Sequence, residues 1–205
     1  MRAARQPTQR ERREATIEKI LQATLLSLGE VGYSNLSISL VSDKAEVSRG
    51  AVFHHFATKR DLVGAAMRRF FDERYDRLME AILSPAINTA SVDERLDLFR
   101  RELTRDSGVS LEIFNAIRTD ESLREFLSDA KAPRYSEQLT GYIGMFPEAG
   151  STEDSRIFIA TFVAFLRGMC IQEITDAGRI NAMFEMMRTM VHLYFAHIAD
   201  NQHKA

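Results

Sequence analysis

The chain has 205 residues, of which 45% are hydrophobic and 27% charged, and its net charge at pH 7 is −2; these values are typical of a folded protein with one core or two small ones. Its single cysteine, Cys170, excludes a disulfide framework and any metal site built from several cysteines of the chain. No run approaches the ~18 consecutive apolar residues of a membrane-spanning helix, and the arginine-rich start lacks the apolar segment of a secretory signal, so we expect a cytoplasmic protein that does not contact a membrane.

The charge is unevenly distributed along the chain. Residues 1–70 carry 12 Lys and Arg against 7 Asp and Glu, a balance of +5, whereas residues 71–205 carry a balance of −7. A basic N-terminal third joined to an acidic remainder is typical of a nucleic-acid-binding domain attached to a domain that does not touch the nucleic acid. On charge alone, a chance fluctuation is the alternative.

The N-terminal arginines are the first feature in chain order. Arg2, Arg5, Arg10, Arg12 and Arg13 precede or open a helix whose apolar residues between 17 and 28 recur every three or four positions. We interpret residues 1–13 as a basic arm whose Arg10 and Arg13 lie along DNA phosphates or reach a minor groove. A solvated tail is the alternative, and it is equally reasonable for Arg2 and Arg5.

Two short helices joined by a tight turn are predicted between residues 37 and 56. Ser37 and Ser48 are placed to cap them, because a serine oxygen accepts hydrogen bonds from the free amides of a first helical turn. Arg49 and Gly50 follow the second cap and combine a cation with a residue too small to keep the backbone away from a partner. This combination at a helix N-terminus favours entry into a DNA major groove.

A third helix begins near residue 58, where Thr58 and Asp61 have the spacing of a capping box. Lys59, beside the free amides, is placed to meet a phosphate, and we assign the same role to His55. His54 is assigned to the base edges or the groove; for both histidines the alternative is a half-exposed helix end without a role in DNA binding. The predicted DNA-binding residues are Arg10, Arg13, Ser37, Ser48, Arg49, Gly50, His54, His55 and Lys59.

The segment 47–62 fixes seven positions in sixteen, in the order Val47-Ser48-x-Gly50-x-x-Phe53-x-x-Phe56-x-x-Lys59-x-x-Leu62. In this pattern it resembles the helix-turn-helix of the TetR family of bacterial transcription regulators. The resemblance implies an all-α fold, in which a three-helix DNA-binding head precedes a helical bundle that dimerises through its last two helices. The corresponding domains are a basic arm (1–13), a helix-turn-helix DNA-binding domain (14–70) and a ligand-binding and dimerisation domain (71–205).

Three positions depart from the family's pattern. Glu46 stands at a turn position that is usually glycine, and Ser42 stands four residues earlier at a position that is usually alanine. Because glutamate in a left-handed turn carries backbone strain, we expect a wider or differently shaped turn. Phe53 replaces a tyrosine and lacks the hydroxyl that would bond a phosphate.

The rest of the chain is predicted to be helical almost throughout. The helix opened by Thr58 is expected to run to about Leu83 and to end at Ser84-Pro85, since proline cannot continue the hydrogen-bond ladder. At ~1.5 Å per residue this helix is long enough to leave the DNA-binding head and enter the body, which makes it the candidate lever. Ser91 and Glu94 form a capping box that opens the next long helix.

The last two predicted helices have faces suited to a subunit interface. From about Thr152 to Thr175 one face is small, and after Gly178 an apolar stripe is wider than one partner helix covers. In the family that the chain resembles, these two helices form a four-helix dimer interface, and we expect the same here; an ordinary core helix of a monomer is the alternative. The predicted dimerisation residues are Ala160, Ala164, Gly168, Ile180, Met183, Phe184, Met187, Met190, Val191 and Tyr194. A two-fold dimer places two recognition helices ~34–36 Å apart or somewhat more, so the operator is expected to be a pseudo-palindrome.

A regulatory site is also implied by the resemblance, since family members typically bind a small molecule inside the C-terminal bundle and leave DNA when the lever helix shifts. The predicted ligand-binding residues are Phe99, Leu103, Phe114, Ile117, Arg118, Tyr142, Phe146, Phe162, Phe165 and Met169. Their aromatic character favours an apolar or aromatic ligand, which Tyr142, Asn115 or Arg118 would orient. Plain core packing is the alternative for each of them.

We therefore expect a homodimeric repressor that a small, largely apolar effector releases from a double-stranded DNA operator, with no cofactor and no metal. A ligand-independent architectural DNA-binding protein is one alternative, and it predicts weak sequence preference and a core without a cavity. An all-helical enzyme is the remote alternative. The chain has no Gly-rich phosphate loop and no nucleophile elbow, and His192 and His197 lie five positions apart rather than four.

Overall fold

The computed structural model describes residues 8–129 and 142–202, and in these ranges all regular elements are helices, which confirms the predicted all-α class. The helices of the first half are α1 (Gln9–Asn35), α2 (Ile38–Ala45), α3 (Arg49–His55), α4 (Lys59–Leu83) and α5 (Val92–Thr104). The remaining described helices are α6 (Ser107–Thr119), α7 (Glu121–Asp129), α8 (Thr152–Asp176) and α9 (Ile180–Gln202). Short 3-10 helices occupy Pro85–Thr89, Pro147–Ala149 and Ala177–Arg179.

Side-chain caps fix where the helices begin. At the start of α4 the Asp61 N–H donates to the Thr58 hydroxyl and the Thr58 N–H donates to the Asp61 carboxylate, both at 3.1 Å. At the start of α5 Ser91 and Glu94 form the same reciprocal pair. Both predicted capping boxes are confirmed, and so is the end of α4 at Leu83. Each box satisfies amide groups that the first helical turn leaves free.

The described residues divide into two compact units. The N-terminal unit contains residues 8–71 and 108–129, and the C-terminal unit contains residues 72–107 and 142–202. Helix α4 contributes its first half to one unit and its second half to the other. The functional boundaries drawn from the sequence stay a prediction, whereas packing assigns α6 and α7 to the unit that carries the helix-turn-helix.

The core of the N-terminal unit holds α2 and α3 in place. Its fully buried side chains come from six helices: Ile20, Leu28, Val41, Val52, Leu62, Val63, Met67, Ile113 and Leu123. Helix α1 breaks at Gly32, whose φ of 74° favours glycine. A Cβ at this position would also lie 2.9 Å from the Glu112 carboxylate, which accepts a hydrogen bond from the Tyr33 N–H at 3.2 Å. The turn after α1 is therefore tied to α6.

The core of the C-terminal unit is an aromatic cluster. It consists of Phe99, Tyr142, Phe146, Phe158, Phe162, Phe184 and Phe195. Phe99 stacks on Phe162 with ring centroids 5.6 Å apart and meets Tyr142 edge-on at 5.0 Å. Such ring pairs add about 0.5–1.5 kcal/mol each beyond the burial of their area. This cluster fastens α5 to α8 and α9.

Among the described residues, no single helix combines the length and the apolar character needed to cross a membrane, although residues 153–172 and 174–202 meet those criteria together as a pair bent by 46°.

Candidate nucleic-acid interface

The turn between α2 and α3 has the compact left-handed geometry. Glu46 caps α2 with φ 56° and ψ 43°. Its N–H donates to the Asp43 carbonyl at 3.3 Å, and the Val47 N–H donates to the Ser42 carbonyl at 3.0 Å. The expectation of a wider or differently shaped turn is therefore wrong. The two hydrogen bonds close the turn tightly enough to hold a non-glycine residue in a conformation that costs L-residues about 1–2 kcal/mol.

Ser42 fits the position that the family usually gives to alanine. Its side chain is 1% exposed, and its hydroxyl donates to the Ser39 carbonyl at 2.8 Å. A buried hydroxyl with a partner has little desolvation cost. The substitution leaves the packing of α2 against the core intact.

The N-terminus of α3 presents the predicted groove-facing residues to solvent. The Ser48 hydroxyl accepts from the Ala51 N–H at 3.1 Å, which confirms the predicted cap. Arg49 and Gly50 are both exposed. The Arg49 guanidinium donates to the hydroxyl of Ser39 on α2, a residue that the sequence did not identify. Ser39 lies ten positions before Arg49, so only the folded turn brings the two together.

Gly50 has no structural reason to be glycine within this chain. Its φ is not positive, and an added Cβ would meet only the Ser48 hydroxyl oxygen, at 3.8 Å. This distance is an ordinary van der Waals contact. The missing side chain leaves the backbone of α3 open to solvent at this position.

Ser37 and Lys59 occupy the flanks of this surface. Ser37 is exposed and accepts from the Leu40 N–H at 3.2 Å, as its predicted cap requires. The Lys59 ammonium instead donates to the Tyr33 carbonyl at 2.9 Å and lies 4.6 Å from the centre of the Tyr33 ring. Burial lowers the pKa of Lys59, and the charge of Asp120 opposes that shift. A phosphate contact by this ammonium requires the bond to Tyr33 to open, and the assignment stays a prediction.

Tyr33 itself is held by the segment between α6 and α7. Its phenol donates to the Asp120 carboxylate at 2.5 Å. Burial and the Asp120 charge together raise the pKa of Tyr33 to about 12. Asp120 also accepts from the Ser122 hydroxyl at 2.6 Å, and these hydrogen bonds lower its pKa. The end of α1, the start of α4 and the start of α7 therefore meet in one polar network beside the helix-turn-helix.

Basic side chains from the start of α1 and the end of α3 surround a groove in the N-terminal unit. We call it the basic groove, and its lining residues are Gln9, Arg10, Arg12, Arg13, Thr16, His54 and His55. The structure therefore brings together four of the predicted DNA-binding residues and adds Arg12, which the sequence placed in the basic arm without assigning it a contact. Arg2 and Arg5 lie outside the described residues.

The predicted ligand-binding residues fall into two groups. Phe99, Leu103, Tyr142, Phe146, Phe162, Phe165 and Met169 belong to the C-terminal unit, in or against the aromatic cluster. Phe114, Ile117 and Arg118 lie on α6 in the N-terminal unit, where Ile117 packs against the core and Arg118 donates to Asn115 at 3.0 Å. The assignment of these three residues to the ligand site stays a prediction.

Arg74 is a buried cation that the sequence reasoning missed. It is 8% exposed and donates to the Leu103 carbonyl. Its burial lowers its pKa. The signal in the sequence was its position on α4, four residues after Phe70 and four before Leu78, both of which are buried. An arginine at that spacing points into the core rather than into solvent.

The last two helices carry an outer face of solvent-exposed apolar and small residues spaced three or four positions apart. Its members are Ile157, Ala160, Ala164, Gly168, Ile171 and Ile174 on α8, with Met186, Met190 and Leu193 on α9. Four of the predicted dimerisation residues belong to this outer face. Met183, Met187 and Tyr194 are half-buried against the core.

Three predicted dimerisation residues have no surface to offer a second subunit. Ile180, Phe184 and Val191 are at most 9% exposed and belong to the core of their own protomer. Their burial places them in the core of the C-terminal unit. Met186 and Leu193 on the same helix are more than 60% exposed.

Comparison with known proteins supplies independent evidence. Residues 20–66 match the family model described as bacterial regulatory proteins, tetR family. The chain is 30% identical over 183 residues to an HTH-type transcriptional regulator of Mycobacterium tuberculosis, covering 84% of this chain and 93% of that protein. It is 27% identical over 186 residues to the HTH-type transcriptional regulator CymR of Pseudomonas putida, covering 88% and 89%. A transcriptional regulator from Saccharomonospora viridis, solved in complex with choline, has a similar fold, with a TM-score of 0.68, 19% identity and coverage of 87% and 96%.

Proposed function

This chain belongs to the TetR family of bacterial transcription regulators, and on that premise we propose that it is a homodimeric repressor released from a pseudo-palindromic operator by a small, largely apolar ligand. One observation carries the DNA-binding part. The N-terminus of α3 exposes Arg49 and Gly50 on a rigid, capped turn, and no contact within the chain explains the glycine. Arginine at this place is suited to a two-pronged hydrogen bond with a guanine edge.

The outer face supports the homodimer. Six exposed apolar or small residues on α8 and three large ones on α9 form a surface that a soluble monomer rarely leaves uncovered. An added Cβ at Gly168 would meet no atom within 4 Å, so the glycine serves no purpose inside the protomer. Small residues on a helix let a second helix approach closely, and a second copy of the chain offers a complementary surface by symmetry.

The aromatic cluster supports the ligand. Binding sites for small molecules are lined mainly by aromatic and apolar side chains with few polar groups. Seven of the predicted residues gather there, and the buried Arg74 belongs to the same unit and donates to the backbone of Leu103. The similar regulator from Saccharomonospora viridis was solved with choline. These observations favour a small organic effector in the C-terminal unit of this chain.

The proposal is tested by fluorescence anisotropy at fixed salt, because affinity for DNA depends steeply on salt. The full chain is titrated with the DNA upstream of its own gene and with a shuffled duplex of equal length. We expect a preference of ~10³ or more for the natural DNA, with two chains bound per two-fold site. Equal binding to both duplexes would instead support an architectural DNA-binding protein.

Release by a ligand is examined in the same assay by adding small aromatic and aliphatic compounds, both charged and neutral. We expect at least one class to lower operator affinity while leaving binding to the shuffled duplex unchanged. A compound that tightens operator binding would make the chain a co-repressor-dependent regulator. The regulators compared above disfavour the remote alternative of an all-helical enzyme.

A further inference from the structure

The basic groove has a composition that selects an anion. Its volume is about 540 Å³, and it lies between the first turns of α1 and the last turn of α3. Three arginines and two histidines line it, with no aspartate or glutamate among the lining residues. Recognition helix α3 thus presents Arg49 at one end and this groove at the other.

Two carboxylates lie in the first turns of α1, and one of them pairs with an arginine of the basic groove. Glu14 accepts from the Arg10 guanidinium at 2.7 Å, and both side chains are largely exposed. Glu11 closes the capping box with Thr8. Within the described ranges Arg12 and Arg13 have no carboxylate partner, so their charges are available to a ligand.

His55 is the unusual member of the groove. Its side chain is half-buried, and its Nδ1 is buried without a hydrogen-bond partner among the described residues. The ring meets the His54 ring edge-on with centroids 5.0 Å apart. A buried ring nitrogen without a partner is costly unless a ligand completes its hydrogen bonding.

The surroundings of His55 disfavour its protonated form in the free protein. Burial is the main cause that lowers its pKa, followed by the charges of His54 and Arg13. The lining groups of the groove come only from α1, as Arg10, Arg12 and Arg13, and from α3, as the two histidines. Every charge that faces His55 from these two helices opposes a further proton.

We propose that the basic groove binds a phosphate of the DNA backbone together with a proton on His55, so that operator affinity increases as the pH falls. The proposal rests on the DNA-binding function argued above. A phosphate in the groove offsets the repulsion from Arg13 and His54, so it favours the protonated imidazole. By reciprocity, a proton that the phosphate favours in turn favours the phosphate.

The sign and the range of the effect follow from the direction of these shifts. In free protein the pKa of His55 lies below its ordinary value, and bound phosphate raises it. Binding therefore takes up a proton when the pH lies between the two values, an interval around the ordinary imidazole pKa of about 6.5. Affinity is greatest below this interval, and it decreases as the pH rises through the interval.

The test measures operator binding by the full chain from about pH 5.5 to about pH 8, the interval around the ordinary histidine pKa, at constant ionic strength. We expect the dissociation constant of the wild-type dimer to decrease by about tenfold to a hundredfold for each unit by which the pH is lowered near the middle of this interval, because each of the two subunits takes up one proton and contributes up to about tenfold per unit. His55→Asn keeps a hydrogen-bond donor near Nδ1 but cannot titrate, so most of the pH dependence of its affinity should be lost. His54→Asn is the matched control and should keep most of the pH dependence.

Two further measurements separate the possible outcomes. Arg12→Ala should reduce the slope of log K against log salt by about one per subunit, as expected for one lost phosphate contact. The imidazole signals of His55, followed by NMR, should show its pKa raised by operator DNA and much less by inorganic phosphate at the same phosphate concentration. An equal effect of inorganic phosphate would overturn the assignment to DNA.

Failure of this inference is distinguishable from failure of the proposed function. Specific operator binding with no pH dependence, or with the same dependence in His55→Asn, would refute proton-linked phosphate binding in the basic groove. The proposed repressor function would be unaffected. Absence of any operator preference at every pH would refute the proposed function itself. If His55→Asn is misfolded by circular dichroism, Arg13→Gln replaces it, since loss of that charge should raise the pKa of His55 in the free protein and weaken the pH dependence.

Discussion

The N-terminal unit exposes the helical glycine Gly50 and the C-terminal unit exposes Gly168, and the surfaces around these two glycines differ in chemical character. Gly50 on α3 and Gly168 on α8 both have room for a Cβ, and neither has a positive φ. Gly32 and Gly150, in contrast, have φ of 74° and 95°, which explains them through the backbone alone. A helical glycine that nothing in the chain requires costs stability relative to alanine, and for Gly50 and Gly168 the proposed function supplies a reason in a partner outside the chain.

The neighbours of each glycine indicate which partner that is. Gly50 is flanked by Ser48, Arg49 and, one turn later, His54, which are polar or cationic side chains suited to DNA. Gly168 lies between Ala164 and Ile171 on an apolar outer face, which is suited to a second copy of the chain. Under the proposed function, Gly50 faces DNA and Gly168 faces a second subunit.

The largest expected effect comes from placing charges on the outer face. In Leu193→Glu each dimer gains two charges that must be buried at the interface without partners. We expect the dimer dissociation constant to increase at least a hundredfold, or about 2.7 kcal/mol. Sedimentation velocity over a range of concentrations measures this change. Operator affinity at low protein concentration should fall with it.

Leu83→Glu is the matched control for this substitution. Leu83 is 74% exposed and Leu193 is 66% exposed, and Leu83 ends α4 rather than lying on α8 or α9. The control should remain a dimer and should bind the operator normally. A Leu193→Glu protein that still sediments as a dimer would remove the outer face from the interface and leave Gly168 unexplained.

The next largest effect is expected on DNA binding by the N-terminus of α3. Arg49→Ala should weaken operator binding by about 1–3 kcal/mol if its guanidinium reads a base edge. Binding to the shuffled duplex should change much less, and the dimer should be unaffected. Equal losses on both duplexes would make Arg49 a phosphate contact. Ser39→Ala, which removes the hydroxyl that accepts from Arg49, should give a smaller loss of the same specific kind.

Alanine substitutions at Gly50 and Gly168 should affect different properties of the protein. Gly50→Ala should lower operator affinity about fivefold, or about 1 kcal/mol, because the methyl group keeps the backbone of α3 from the DNA. Its dimer dissociation constant should not change. Gly168→Ala should weaken the dimer by a similar factor and leave the operator affinity of the intact dimer unchanged.

Thermal unfolding supplies the control for this pair. Both alanines should leave the fold as stable as before or slightly more so, since alanine favours helix by about 0.5–1 kcal/mol over glycine and neither Cβ meets an obstacle. If either substitution destabilises the fold, that glycine has an internal reason after all. An outside partner would then not be needed to explain the glycine at that position.

Much of the N-terminal unit could be predicted because its signals are local. The caps at Ser37, Ser48 and Thr58 each depend on residues within three positions, and the structure contains all three. The contacts that long side chains make with distant residues could not be predicted in this way. The ammonium of Lys59 turns to Tyr33, 26 positions earlier, and nothing in the sequence near Lys59 indicates that contact.

The C-terminal unit was harder to predict for a different physical reason. Helix α9 is apolar over most of its circumference, so it lacks the polar face that would orient it. The sequence therefore could not separate Phe184, which is fully buried, from Met186, which is 62% exposed. Helix α6 posed a related problem, because an amphipathic helix shows which face is buried but not which core it joins.

The smallest expected effect is on stability at Glu46. At this position the backbone favours glycine but the chain has glutamate. Glu46 has a φ of 56°. In Glu46→Gly the relief of about 1–2 kcal/mol of left-handed strain exceeds the extra entropy of an unfolded glycine, about 0.5–1 kcal/mol. We expect a net gain in stability of about 0.5–1 kcal/mol, measured as a higher midpoint of thermal unfolding.

Glu46→Ala separates the backbone from the charge in this last experiment. Alanine removes the carboxylate but keeps a Cβ in the left-handed conformation, so it should give no comparable gain. Equal gains in both variants would assign the effect to the charge of Glu46 rather than to the turn. Operator affinity should be the same in both, because the hydrogen bonds of Glu46 and Val47 that close the turn use only backbone groups. A loss of affinity in Glu46→Gly alone would show that the rigidity of the turn, and not only its shape, positions α3 on DNA.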